Sequence, residues 1–103
     1  EAEIWAEWSQ MQADYPKEKP TVADAVDHID HIVNLIGIDF VGIGTDFDGG
    51  GGLKDCADAS QMMNITKELL KRDYTIEDIH KIWGGNFMRV FSEVENYPAK
   101  ASI

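Results

Sequence analysis

The chain has 103 residues, of which 19 are acidic and 9 basic, giving a formal net charge of −10, and 44% of its residues are hydrophobic. That length allows one domain at most, with enough apolar residues for a core. The acidic balance disfavours nucleic acid as a partner, because phosphate binding needs clustered Lys and Arg, and reads instead as a solvated acidic surface.

In chain order, Ile4 to Tyr15 carries Trp5, Trp8 and Met11 at three-residue spacing, which predicts a short first helix with its aromatics as core or interface anchors. Pro16-Lys17-Glu18-Lys19-Pro20 is a charged linker that cannot continue it. Thr21 then fits an N-cap, with Asp24 as the capping-box acid, and Val22, Val26, Ile29, Val33 and Ile36 share one face of the helix that follows. Gly37 stands where its C-cap belongs. The apolar run Ile38 to Ile43, interrupted only by Asp39 and Gly42, fits a strand of about 39–44 buried on both faces, as in a parallel sheet. A glycine-rich loop runs from about Thr45 to Ala59. The third helix is expected from Gln61 to Arg72, burying Met62 or Met63, Ile65, Leu69 and Leu70. Thr75 and Asp78 open a fourth, with Ile79, Ile82 and Trp83 inward, and Gly84-Gly85 is read as its break. Asn86 is read as the cap of a fifth helix carrying Phe87, Val90, Phe91 and Val94 on one stripe, and residues 98–103 as a disordered tail.

One strand cannot form a sheet, and its buried backbone groups need partners. The pattern therefore reads as the end of a sheet protein, and the start at Glu1 rather than Met fits a processed form or an excised piece. Residues 1–20 are taken as an N-terminal helix and linker, and 21–97 as a strand with its covering helices. No apolar run approaches the ~20 residues that span a bilayer, and no signal peptide is visible. The lone Cys56 excludes an intrachain disulfide and leaves the compartment undecided.

Chemistry concentrates where the strand ends. Asp46 and Asp48 lie in Gly42-Ile43-Gly44-Thr45-Asp46-Phe47-Asp48-Gly49, at the position where parallel α/β folds place their sites. Asp46, nearer the strand end, is the candidate for catalysis or metal linkage; Asp48, before Gly49, reads as a turn former. The glycines do not make a phosphate loop, since Gly50 stands where Lys is required, nor a dinucleotide fingerprint, since Phe47 replaces its third glycine. An EF-hand starting at Asp46 fails at Gly50 and Ala57. His28 and His31 have a spacing that could hold a metal, but the apolar stripe points away from both, so they read as loop-bonding residues. His80 reads as a helix-surface residue. The acidic neighbours of Cys56 would raise its pKa, which argues against a nucleophile.

Three passages carry a resemblance: Asp27-His28-Ile29-Asp30-His31-Ile32, then Gly37 through Gly49, then Gly85-Asn86-Phe87-Met88-Arg89-Val90-Phe91. In their order and spacing, Val22 to Glu95 resembles the C-terminal part of the membrane (renal) dipeptidase family of zinc metallopeptidases. The resemblance implies a (β/α)8 barrel, of which this chain would be the last strand and covering helices, with two zinc ions bridged by a glutamate. It also implies dipeptides as substrates, with β-lactam or dehydropeptide bonds for some members. The family's metal ligands lie on earlier strands, so no metal ligand and no bound zinc are expected in this segment. The family's aspartate at the end of the eighth strand matches Asp46, implying that it passes a proton between the metal-activated water and the leaving amine, or holds the substrate amino group. Phe40 departs from the His that many relatives carry. The implied function is thus a zinc-dependent dipeptidase for the parent, with the isolated segment inactive and self-associating. The alternative is a non-catalytic interaction or oligomerisation module derived from that family, and an upstream His-x-Asp strand with a bridging Glu would decide between them.

Overall fold

The computed structural model describes residues 1–98, so the expected tail beyond Pro98 lies outside the described residues. Among the described residues five α-helices form: α1 (Ala2–Asp14), α2 (Val22–Ile36), α3 (Met63–Lys71), α4 (Ile76–His80) and α5 (Asn86–Glu95), with short 3-10 turns at Ile38–Phe40, Phe47–Gly49 and Ala59–Gln61. Local chemistry explains the starts of α2 and α4. Thr21 and Asp24 bond each other's backbone N–H reciprocally, and Thr75 and Asp78 repeat the arrangement, so both expected capping boxes are present. Gly37 ends α2 with φ 98° and donates its N–H to the Val33 carbonyl.

The expected strand at 39–44 does not form. Ile38–Phe40 winds into a 3-10 turn, Val41 is extended (φ −126°, ψ 143°), and Gly42 to Asp46 follow without regular structure. Among the described residues there is no strand, and the sole bridge is the isolated Leu53–Cys56 pair. The physical reason is pairing. A strand is stabilised by a ladder, and between Gly42 and Thr45 no backbone group bonds another among the described residues. The described residues are therefore mostly helical, as expected of a piece of an α/β barrel, but lack its one short strand, and they form no barrel by themselves.

The second difference lies at Gly84-Gly85, which does not break the helix. Lys81–Gly85 forms one π turn that joins α4 to α5 without interruption, and Asn86 is no cap. A Cβ at Gly85 would lie 3.2 Å from the His80 carbonyl oxygen, a tight approach, so glycine eases the crowding of the widened turn.

Val22, Val26 and Ile29 of α2 pack with Val41, Cys56, Ile65 and Leu69 of α3, Ile79 and Ile82 in one core. Leu69 and Val26 are wholly buried. The stripe of α2 runs out at its C-terminal end, where Ile36 is exposed. Helix α1 buries no residue, and Trp5 and Trp8, in edge-to-face contact at 6.1 Å, are 65% and 51% exposed. The stripe of α5 exists as predicted but faces outward, with Phe87 and Val94 each 70% exposed. Leu70 and Met63 of α3 are exposed as well. Consistent with so much uncovered apolar surface, the radius of gyration is 18.5 Å, against about 13 Å for a compact domain of 100 residues.

Candidate active-site turn at Asp46

Asp46 occupies the left-handed region (φ 50°, ψ 36°), which Asp tolerates better than most residues. Its carbonyl accepts from the N–H groups of Gly49 (3.0 Å) and Gly51 (2.7 Å), closing the loop upon itself. A Cβ at Gly49 would overlap the Asp46 carboxylate, and one at Gly51 would overlap the Thr45 carbonyl oxygen. Gly51 is thus required by the close approach of the Thr45 and Asp46 backbone, whereas a side chain at Gly49 would have to displace the Asp46 carboxylate. The turn-forming part expected of Asp48 falls to Asp46, whose backbone organises the loop; Asp48 lies inside the following 3-10 turn. Both side chains are exposed, and neither carboxylate accepts a hydrogen bond among the described residues.

Two clefts flank the segment that leads to Asp46. One, of about 330 Å³, lies between Ala25, His28 and Ile32 of α2, residues 41–45, Phe47, Leu53 and Cys56. The other, of about 510 Å³, lies between Gly42 to Gly44 and Ile82, Trp83, Phe87 and Met88. The loop closing the first cleft is tied down at several points. Lys54 N–H donates to the Pro20 carbonyl, Val22 N–H to Asp55 Oδ1 (2.7 Å), and Asn64 Nδ2 to the Asp55 carbonyl (2.7 Å). Cys56 is buried beneath it, and burial, with Asp55 and Asp58 adding to it, pushes its thiol up, away from nucleophilic use.

His28 and His31 are both exposed on α2, His28 lining the first cleft, and His80 is exposed on α4. Among the described residues no three His, Cys, Asp or Glu side chains are gathered as a metal set requires, so these residues do not fit a zinc site.

Sequence reasoning missed two clusters. Arg72, at the end of α3, donates from Nη1 to Asp27 and Asp30 (both 2.7 Å), from Nε to Glu68 (3.0 Å) and from Nη2 to the Ala23 carbonyl (3.0 Å). Tyr74 Oη donates to the second oxygen of Asp30 at 2.5 Å. Burial alone would raise the Asp30 carboxyl, but the bonds from Tyr74 and Arg72 outweigh it and hold it below the usual range. Burial and the Asp30 carboxylate together push the Tyr74 phenol up to about 12. The other cluster is Asn86, 5% exposed, which donates to the carbonyls of Ile38 (2.7 Å) and Val41 (2.9 Å). Arg89 donates to Asn86 Oδ1 (3.2 Å) and to the Asp39 carbonyl (2.8 Å), while Lys81 pairs with the Asp39 carboxylate at 3.0 Å. The signal for Asn86 was in the third passage of the resemblance, where it was read as a cap; no sequence signal marks Arg72.

Residues 8–102 match the family described as Membrane dipeptidase (Peptidase family M19). Dipeptidase tcpJ of Claviceps purpurea (strain 20.1) is 41% identical over 83 residues, covering 80% of this chain and 20% of the relative. Dipeptidase 3 of Homo sapiens is 39% identical over 75 residues, covering 72% of this chain and 15% of the relative. The crystal structure of the probable dipeptidase PvdM from Pseudomonas aeruginosa superposes with a TM-score of 0.82 at 38% identity, over 92% of this chain and 24% of that one. The chain thus spans between 15% and 24% of the length of these relatives. With the match running over most of its residues, the chain belongs to the membrane dipeptidase family, peptidase family M19.

Proposed function

We propose that the chain is the C-terminal segment of a zinc-dependent enzyme that hydrolyses dipeptides, and that Asp46 is its catalytic contribution. The observation that carries this reading is family membership through relatives named dipeptidases. The geometry at Asp46 supports it. An exposed, unengaged carboxylate stands on a turn closed by two backbone hydrogen bonds, at the end of a segment rooted in the core through Val41.

In this reading the part of the expected strand at 39–44 that follows the 3-10 turn would gain its pairing only in the complete protein, as the last strand of a (β/α)8 barrel, with α2 and α3 as the helices before and after it. An interior strand of a parallel sheet needs a neighbour along each edge. The open cleft on either side of this segment, and its unpaired backbone, are what such a strand presents without those neighbours. The isolated chain is accordingly inactive and self-associates through the same uncovered surfaces.

The part assigned to Asp46 is to take up or deliver a proton at the leaving amine, or to ion-pair with the substrate's free amino group. Zinc, when bound to the complete protein, would supply an activated water. Its ligands would come from outside these residues, which gather no metal set, and no step here is routed through it. Assay of the complete, metal-replete protein against a panel of dipeptides tests the reading. Hydrolysis is expected, and a folded protein that cleaves none of them would contradict it.

A further inference from the structure

Asn86 is a buried polar residue in an otherwise apolar core, and every polar atom of its side chain is engaged. Its amide carries two hydrogens and meets two carbonyls, those of Ile38 and Val41, while its oxygen accepts from Arg89. Only this orientation of the amide works, since the flipped one would set its oxygen against both carbonyls. Arg89 takes the intervening Asp39 carbonyl and lies 6.0 Å over the Phe40 ring. Side chains from the first turn of α5 therefore hold three carbonyls of residues 38–41, where the chain leaves its 3-10 turn.

The π turn is what aims Asn86 there. A π turn holds one more residue than an α turn, so with an ordinary turn at 81–85 Asn86 would lie roughly 100° round the helix from its present direction. Beyond Val41 no backbone group from Gly42 to Thr45 bonds another among the described residues, and the next fixed point is the Asp46 carbonyl, held by Gly49 and Gly51.

From this we infer that Asn86 is a positioning residue for Asp46: by clamping the Ile38 and Val41 carbonyls it sets the register of the segment that delivers the Asp46 turn. The inference rests on the catalytic reading of Asp46 for its consequence in rate, and on the clamp alone for its consequence in structure. Two measurements separate these.

The first is hydrogen exchange of the Gly49 and Gly51 amides in the 103-residue chain. Asn86→Asp keeps the side-chain shape and loses both donors, and it should speed exchange at both glycines by roughly 10-fold or more, since two hydrogen bonds to the clamped carbonyls are lost. Arg89→Lys, the milder change and the fallback if Asn86→Asp does not fold, should speed it about 3-fold, since part of the clamp remains. Leu69→Ala truncates the same core at a side chain that makes no hydrogen bond to the clamp and should leave both amides unchanged, because loop amides exchange by local opening.

The second is turnover of the complete protein. Asn86→Asp should lower kcat by roughly 10- to 100-fold with KM within about 3-fold, as expected for a displaced catalytic group, while Leu69→Ala keeps kcat. Unchanged exchange at Gly49 and Gly51 overturns the inference whatever the activity, as does a Leu69→Ala variant that reproduces both effects. Accelerated exchange with unaltered kcat overturns it too. Accelerated exchange in a complete protein that hydrolyses no dipeptide upholds the clamp and sinks the dipeptidase reading instead.

Discussion

Arg72 and Asp30 are separated by 42 residues in sequence and joined by a 2.7 Å charge-assisted hydrogen bond that staples the end of α3 to the middle of α2. The Arg72 side chain is only 22% exposed and also serves Asp27 and Glu68. Removing it leaves three carboxylates together with no cation between them. Arg72→Met, which keeps most of the aliphatic stem, should cost about 2 kcal/mol, less than a fully buried pair because Asp27 is largely in solvent. Urea unfolding checks this, and a loss below about 0.5 kcal/mol would show the cluster to be surface decoration.

The same cluster gives stability a pH dependence at both ends. The depressed Asp30 carboxyl contributes stability that is present above the unfolded value of about 4 and is lost as pH falls through its lower folded value. Asp24, lowered by the Thr21 backbone and hydroxyl, adds to that acid limb. Tyr74 works in the opposite sense. Its phenol, raised to about 12, contributes stability present below the unfolded value of about 10 and lost as pH climbs towards the folded one. Tyr74→Phe should therefore flatten the fall in unfolding midpoint above pH ~10 relative to the parent chain, and also weaken the acid limb by removing a bond to Asp30. An alkaline limb identical in the two proteins would contradict this.

Self-association at micromolar concentration is the third expectation. Trp5, Trp8 and Met11 on α1, and Phe87, Phe91 and Val94 on α5, form exposed apolar stripes, and the segment from Gly42 to Thr45 has unpaired backbone edges. Patches of this kind on small proteins are covered by partners, and open edges pair. Sedimentation equilibrium should show species heavier than 11.5 kDa; a strictly monomeric, well-folded chain would contradict it.

The isolated chain should hydrolyse no dipeptide and bind no zinc stoichiometrically. Of the family's catalytic set the resemblance places only Asp46 here, and the described residues gather no metal ligands. Chelator-sensitive cleavage of a dipeptide by the 103-residue chain would refute this.

What was legible in the sequence was local. The caps at Thr21 and Thr75 depend on residues three apart, and α2's inward face follows from its 3.6-residue period. The strand expected at 39–44 does not form in this chain because its buried apolar pattern presupposes neighbours, and pairing is not a property of the segment itself. Gly84-Gly85 looked like a break because glycine usually is one; here both lie within a π turn, and Gly85 eases its crowding. The Asn86 clamp and the Arg72 cluster stayed hidden because most of their partners lie more than 40 residues away. Asp46 was found at a segment end, but its backbone role in closing the loop on Gly49 and Gly51 needed the structure.

Replacement of Asp46 by Asn in the complete protein tests the central claim most directly. The amide keeps the size of the side chain but cannot accept a proton at neutral pH. Turnover of a dipeptide should therefore fall by about 10² to 10⁴ while KM and metal content stay near those of the parent. Asp48→Asn, changed in the same loop, should be the milder variant. Near-normal turnover by the Asp46→Asn protein would contradict the account and leave Asp46 as the residue that shapes the loop.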